Sequence, residues 1–393
     1  MSKLENLLET LCPDGVEYKS IGDICEISRG IVMSKDYIRD NAGEYPVYSS
    51  QTENNGELGK IATYMYDGEY LTWTTDGANA GSVFYRNGKF SVTNVCGLLK
   101  LKTNEISTRF LYFVLQTATK PYVNKGMGNA KLMSNVMATI KIPVPPIEVQ
   151  KEIVKILDNF TMLSEKLSAE LTARKKQYEF YRDKLLTFDP IVGANIEWKP
   201  LGEVFDIKGG YTPSKSENDF WNNGTIPWFR LEDINENGHT LWDAKQHITE
   251  KAIKKSGLFK ADSLIITTSA TIGEYALIKA PFLCNQRFTC LTRKKEYEKK
   301  LLPEFVLQYS SVLSNYCKSH LNVGNFASVD MNLFSNFLYP LPPLDVQERI
   351  VNVLDNFDAI CSDLKIGLPS EIGKRQQQYE YYRDKLLTFK EKV

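Results

Sequence analysis

The sequence predicts an α+β protein: two mixed α/β modules joined by two long helices that pair antiparallel within the chain, pseudo-two-fold and nearly circular. Three observations predict it. Residues 146–160, PIEVQKEIVKILDNF, match 343–357, PLDVQERIVNVLDNF, at nine of fifteen positions with an offset of 197, and repetition at a fixed offset marks a duplicated unit. Residues 177–188, QYEFYRDKLLTF, match 378–389, QYEYYRDKLLTF, at eleven of twelve positions with an offset of 201, so four residues have been added in between, around Gly367-Leu368-Pro369-Ser370. The segments ahead of each copy open alike, Val16-Glu17-Tyr18-Lys19-Ser20-Ile21-Gly22 against Ile196-Glu197-Trp198-Lys199-Pro200-Leu201-Gly202, and then diverge. The order is variable module, near-identical connector, variable module, near-identical connector, with boundaries at 1–142, 143–190, 191–339 and 340–393. Residues 4–11 echo a connector end, which makes the repeat nearly circular.

The elements follow in order. A short helix opens the first module, and β-branched or aromatic runs at 45–49, 61–66, 70–74, 82–85 and 97–101, punctuated by Asn-Gly, Asp-Gly and Gly, predict short strands and hairpins. Helices are expected over 107–117 in the first module and 303–317 in the second. Each module then carries a late Gly/Asn loop, Lys125-Gly126-Met127-Gly128-Asn129 and Asn322-Val323-Gly324-Asn325, leading to a strand that ends at the connector's prolines. From Ile153, positions 157, 160, 164, 167, 171, 174, 178, 181, 185 and 188 alternate steps of four and three, and nine of these eleven are apolar or aromatic, the stripe of one long helix. Pro145 and Pro146 mark its start, Glu148 and Glu152 suit the helix dipole, and Asp189-Pro190 follows its end. At ~1.5 Å per residue, 147–188 spans roughly 60 Å. The second connector keeps the seam at 350, 354, 357, 361 and 364 and resumes it at 372, 375, 379, 382, 386 and 389. Gly367 and Pro369 predict a break, with Ser370 capping a new helix. Two seams separated by a whole module bury most simply against each other, antiparallel.

Composition narrows the function. No apolar run approaches the ~20 residues a bilayer requires, and the N-terminus has no apolar signal core, so a cytoplasmic protein is expected. The seven cysteines form no CxxC pair and are expected as reduced core thiols. Lys+Arg and Asp+Glu balance at 48 each, so a nucleic-acid role takes its phosphate neutralisation from a local patch or a partner. An adenine methyltransferase needs an S-adenosylmethionine loop and an Asn-Pro-Pro-aromatic element, but the Pro-Pro pairs here are Val-Pro-Pro-Ile and Leu-Pro-Pro-Leu. There is no GxxxxGK[ST] phosphate loop, and His239, His247 and His320 lack metal-ligand spacing. Neither a catalytic centre nor a metal or cofactor is expected on this chain.

The PxPPxxVQ helix starts (143–150 and 340–347), the QYExYRDKLLTF helix ends and the YKSIG/WKPLG module openings resemble the specificity (S) subunits of type I restriction-modification systems over essentially the whole chain. The resemblance implies that the modules are target recognition domains, each reading one half of a bipartite site in double-stranded DNA. It implies that the helices set the spacer and dock two methyltransferase (M) subunits, and that restriction (R) subunits join the full complex. It further implies a non-catalytic subunit, with S-adenosylmethionine, ATP and Mg on its partners.

Base edges are read by Arg, Asn, Gln, Lys and small hydroxyl residues on loops that approach closely. In module one the candidates are Ser49, Ser50 and Gln51, Thr74 and Thr75 with Asn79, and Lys125, Asn129 and Lys131. In module two they are Arg230, Thr268 and Ser269 with Thr271, Asn285, Gln286 and Arg287, and Asn322 with Asn325. Trp73, Trp228, Phe229 and Phe326 could stack on or wedge between bases, but core burial is the stronger reading. Arg182, Lys184, Arg383 and Lys385 are candidates for the M-subunit interface, whereas Tyr178, Tyr181, Tyr379 and Tyr382 lie on the seam and are expected to pack within the chain. The competing reading is a two-module protein or glycan adaptor on a helical stalk. It accounts for zero net charge but not for near-identical connectors beside divergent modules, which a two-fold partner explains.

Overall fold

The computed structural model describes residues 3–126, 129–188, 196–322, 327–362 and 367–392. The chain divides into two compact units, Met1–Ala169 with Ser370–Val393, and Glu170–Pro369. Each unit therefore holds one module, one half of the first connector and one half of the second. No helix among the described residues is long and apolar enough to cross a membrane.

In unit one, α1 (Lys3–Leu11) precedes β1 (Glu17–Ser20), whose Ser20 hydroxyl caps the short α2 (Ile21–Ile24). Next come β2 (Cys25–Arg29), α3 (Lys35–Asp40), β3 (Ala42–Tyr48), β4 (Glu57–Ile61), β5 (Tyr66–Thr74), β6 (Val83–Val92) and β7 (Cys96–Leu101). These six strands form one sheet in the order β2-β7-β5-β6-β3-β4. The expected strand at 61–66 is corrected: β4 ends at Ile61, and the chain turns through exposed residues before β5, with the Tyr64 ring against Tyr45 at 5.1 Å. Nor does Asn87-Gly88 turn a hairpin; β6 runs ten residues through it, because Gly88 pairs with Gly68 in the ladder. Helix α4 (Thr108–Ala118), capped by Ser107, covers one sheet face with Phe110, Phe113 and Val114 against Leu71, Trp73 and Leu99. The opposite face holds Tyr70, Phe90, Val92, Cys96 and Leu98 with Tyr48 and Tyr66. Then α5 (Ser134–Thr139) leads to β8 (Lys141–Val144), antiparallel to β1.

The first connector is one helix, α6 (Ile147–Leu186), forty residues long. Its Gln150 explains the VQ of the motif. The side chain is fully buried; its amide donates to Glu105 O (2.7 Å) and Pro145 O (2.8 Å), and its carbonyl accepts from Ser107 N (2.9 Å), tying the helix start to the loop before α4.

Module two repeats the plan with more irregular strands: β9 (Glu197–Pro200), α7 (Leu201–Val204), β10 (Phe205–Gly209), β11 (Ile226–Phe229), α8 (Leu231–Asn237), β12 (Thr240–Leu241), β13 (His247–Ile248), β14 (Ser263–Thr267), β15 (Tyr275–Ile278), β16 (Leu283–Cys284) and β17 (Phe288–Arg293). The main sheet runs β10-β17-β14-β15-β12, and β13-β11-β16 makes a second. After α9 (Pro303–Ser319) come the β18 (Leu321–Asn322) and β19 (Ser328–Val329) pair, α10 (Met331–Ser335) and β20 (Leu338–Leu341), which pairs with β9. The second connector is α11 (Leu344–Ser362) and α12 (Leu368–Leu386). Gln347 repeats the anchor, donating to Lys300 O (2.8 Å) and Pro342 O (2.7 Å) and accepting from Leu302 N (2.8 Å). The expected cap is corrected: α12 begins at Leu368, two residues before Ser370, so Pro369 lies in the first turn, where its missing N–H has no helical acceptor to lose.

Antiparallel pairing is present inside each unit. In unit one, Phe160 of α6 stacks on Tyr382 of α12 at 5.6 Å, and Tyr379 donates to the Gln116 side chain at 2.8 Å. In unit two, Tyr178 and Tyr181 of α6 lie 6.1 and 5.9 Å from the Phe357 ring of α11, and the Tyr178 hydroxyl reaches Asp358 at 3.3 Å. Tyr181 and Tyr382 pack on one ring face and leave the rest exposed. The circular character is carried by the C-terminus rather than by residues 4–11: Val16 N donates to Lys390 O, Lys392 N to Val16 O and the Tyr18 hydroxyl to Phe389 O, at 2.9, 2.9 and 3.0 Å. Helix α1 packs beside both connectors, with Leu4 and Leu8 lining one pocket with Ile156, Phe160, Tyr382 and Leu386, and Lys3 on Glu152 at 2.6 Å. The cysteines are free, six of them buried and Cys12 half-buried; burial pushes the Cys25 thiol up to about 12.

Candidate nucleic-acid interface

Sheet register gathers the loops. In module two, Thr267 at the end of β14 faces Phe288 at the start of β17, and Gly209 at the end of β10 faces Thr289. The segments 210–212, 268–271 and 285–287 must therefore leave the sheet at one end. Gly210 permits their crossing, since a Cβ there would lie 2.4 Å from Asn285 O and 2.5 Å from Cys284 O. The Thr212 hydroxyl donates to the Gln286 side chain, Thr268 N donates to Arg287 O at 2.9 Å, and the Thr268 and Thr289 hydroxyls pair at 2.8 Å. Ser269 bridges to Ser328, drawing in the β18–β19 pair with Asn322, whose amide reaches Val329 O at 3.4 Å.

Two clefts result, and Gln286 lines both. One, of about 480 Å³, joins Arg230, Asn285, Gln286 and Arg287 with Lys215 and Thr212. The other, of about 630 Å³, joins Thr268, Ser269, Gln286 and Asn322 with Asn332. Arg230 stands ahead of α8, its backbone N–H held by Asp233 at 2.7 Å; its Nε is buried without a hydrogen bond, 3.7 Å from Glu232. Thr271 is exposed and lines neither cleft, while Asn325 and Phe326 lie outside the described residues. Sequence reasoning missed Lys215, Thr212 and Asn332, which only the fold brings to these walls.

Module one follows the same register: Thr74 ends β5 opposite Cys96, and Arg29 ends β2 opposite Gly97. Gly30 matches Gly210, and a Cβ there would lie 1.8 Å from Val92 O. The loops interlock. Ser49 N donates to Gly56 O (2.9 Å), the Thr93 hydroxyl to the Ser49 hydroxyl (3.2 Å), Thr74 Oγ1 to Ser50 O (3.2 Å), Asn79 to the Thr52 hydroxyl (2.9 Å) and Gly77 N to Ala130 O (2.9 Å). Lys131 bridges to Asp76, and the Gln51 amide donates to Glu57 O. Two expectations change here. Thr74 and Thr75 are each 1% exposed, with their hydroxyls committed to Ser50 O and Val95 O (2.9 Å), so they brace the loops from beneath. Asn79, Lys125, Asn129 and Lys131 are exposed, and Ser49, Ser50 and Gln51 are half-buried. Asn94, exposed two residues before β7, stands where Gln286 stands before β17. Aligning the two modules at Gly81 and Gly273, a pair of positive-φ glycines, exposes that equivalence.

Trp73, Trp228 and Phe229 are core residues: Trp73 Nε1 donates to Leu132 O at 2.9 Å, and Trp228 Nε1 to Tyr211 O at 3.0 Å. Each histidine has a local partner, His239 stacking on Tyr275, His320 on Tyr316, and His247 reaching Asp243 at 2.7 Å. Among the connector candidates, Lys184 and Lys385 are exposed. Arg182 and Arg383 are less available, each lying 5.6 Å over a tyrosine ring and paired with the next aspartate, at 3.1 and 2.7 Å. The exposed aromatics at equivalent positions are Phe180 and Tyr381, which sequence reasoning passed over.

The family profile described as "Type I restriction modification DNA specificity domain" matches residues 13–173 and 195–374. The EcoR124I/EcoR124II type I restriction enzyme specificity subunit of Escherichia coli is 33% identical over 414 residues, covering 99% of this chain and 97% of its own. The EcoprrI specificity subunit of Escherichia coli is 45% identical over 218 residues; about half of each chain is covered, 54% of this one and 53% of the relative. A chain solved in work on complex assembly and conformational transition of the type I R-M system has the same fold, with a TM-score of 0.62, 16% identity and coverage of 95% and 98%.

Proposed function

This chain belongs to the type I restriction-modification DNA specificity family, and from that premise we propose that it supplies sequence recognition to a type I restriction-modification complex. Each module reads one half of a bipartite site in double-stranded DNA, and the helices set the spacer and dock two M subunits, with R subunits joining the full assembly. The observation that carries this reading is the adjoining pair of clefts in module two, which gathers Arg230, Thr268, Ser269, Asn285, Gln286, Arg287 and Asn322 at one end of a sheet. Guanidinium and carboxamide groups on rigidly tied loops are the side chains that read base edges bidentately. Gln51, Asn79, Asn94, Lys125, Asn129 and Lys131 do the corresponding work in module one. The reaction chemistry, with S-adenosylmethionine, ATP and Mg, resides on the partner subunits, and this chain is non-catalytic.

The test is methylation mapping of DNA from cells that express this chain with a cognate M subunit, against M alone. A bipartite adenine-methylated motif that needs both chains is expected. No new motif, while M is active beside another specificity chain, overturns the reading.

A further inference from the structure

Arg86 lies on β6 beneath the candidate loops of module one and is 2% exposed. Its Nε donates to the Thr72 hydroxyl at 3.0 Å, whereas Nη1 and Nη2 make no well-formed hydrogen bond among the described residues, although the Tyr48 side chain favours the charged form. The guanidinium carbon sits 3.5 Å from the centroid of the Tyr48 ring and 4.7 Å from that of Phe84. Among the described residues no carboxylate is paired with it. Burial lowers its pKa, yet an arginine keeps its proton at any physiological pH. Buried charges are ordinarily paired, and module two has Ile278 at the equivalent ladder position, opposite Ser263 as Arg86 is opposite Tyr70. Beside the Tyr48 and Phe84 rings, Gly56 at the end of the segment 49–56 abuts the guanidinium: a Cβ there would lie 3.0 Å from Nη2. That segment is closed by a backbone bond from Ser49 N to Gly56 O and contains Asn54 and Asn55, both at positive φ.

We propose that Arg86 is a stored phosphate-binding group: the 49–56 segment swings aside as module one meets its half-site, and the guanidinium leaves the Tyr48 ring to pair with a DNA phosphate. This rests on the DNA-recognition reading above. A planar guanidinium takes phosphate oxygens bidentately, and the two unused Nη groups provide that fork. The ring holds the cation without neutralising it, so its charge remains available to the duplex.

The experiment compares wild type and Arg86→Met, each with its M subunits, on a duplex carrying the mapped motif across a salt series. Methionine fills the space without the charge, so the variant is expected to fold at least as stably. It should bind roughly tenfold more weakly at low salt, with the slope of log affinity against log salt shallower by about one and the motif unchanged. A slope equal to that of wild type overturns the proposal, as does an altered base preference without a slope change, since that would make Arg86 a base reader. If wild type itself fails to distinguish the motif from a scrambled duplex, the failure belongs to the DNA-recognition reading. A second measurement needs no substitution: an arginine-directed dicarbonyl reagent should label Arg86 slowly in the free wild-type complex, and the duplex should suppress that labelling. Absence of any labelling while the exposed Arg39 reacts fully means that the segment does not open, and overturns the proposal.

Discussion

Gln150 and Gln347 are single residues on which the attachment of helix to module depends. Each satisfies one backbone N–H and two carbonyls, and each is fully buried. Replacing Gln150 by Ala leaves Ser107 N, Glu105 O and Pro145 O unpaired, and the expected cost is about 3 kcal/mol, visible as a lower urea midpoint. Asp358 offers a pH-dependent counterpart. Burial raises its pKa, against the Tyr178 hydrogen bond that favours its charged form. The folded chain therefore holds this proton more tightly than the unfolded chain, so the Asp358 contribution is favourable at acid pH and is lost as pH rises above the ordinary carboxyl range. Asp358→Asn should raise the melting temperature at pH 7, with the gain shrinking below about pH 4; a gain independent of pH counts against the assignment. Residue types alone pointed to Arg230, Asn285, Gln286 and Arg287 as neighbours in purpose, and the fold puts them on one wall. They could not separate Thr74 and Thr75, buried in loop support, from the exposed Asn79, because burial at a strand end depends on which loop crosses it.

At the scale of elements, the connectors were the most legible part of the chain, since the steps of four and three run through α6 almost unbroken from 153 to 185. Short strands were less legible. The run 61–66 has strand composition, but its middle turns a corner that β3 and β4 impose through a register shift near Ala42. Continuity of α6 through 169–173 makes it the natural place to alter the recognised spacing. Four extra residues there add just over one turn and ~6 Å, against ~3.4 Å per base pair. The mapped motif should keep both half-sites and gain one or two nonspecific base pairs between them. Methylome sequencing that returns the original spacer removes the helix from its role as a ruler.

For the whole molecule, the decisive property is that unit one is built from pieces far apart in sequence, residues 1–169 and 370–393. Module one meets the connectors through a few fixed points: Glu105 and Ser107 with Gln150, Gln116 with Tyr379, and Tyr18 with Phe389. A foreign module grafted over 16–142 that keeps these points should change one half of the methylated motif and leave the other; a change in both halves refutes independent reading. The repeat predicts two modules and two connectors, whereas the role of the C-terminal residues in closing unit one could be seen only once Val16 and Lys390 were found side by side. Those closing residues have a genetic consequence. The twelve-residue stretch that ends α6 and closes unit two is, but for one residue, the stretch that ends α12 and closes unit one. A crossover between genes within these twelve codons hands over a module already fitted to its closing helix, so new pairings of half-sites arise by recombination without any interface having to evolve again.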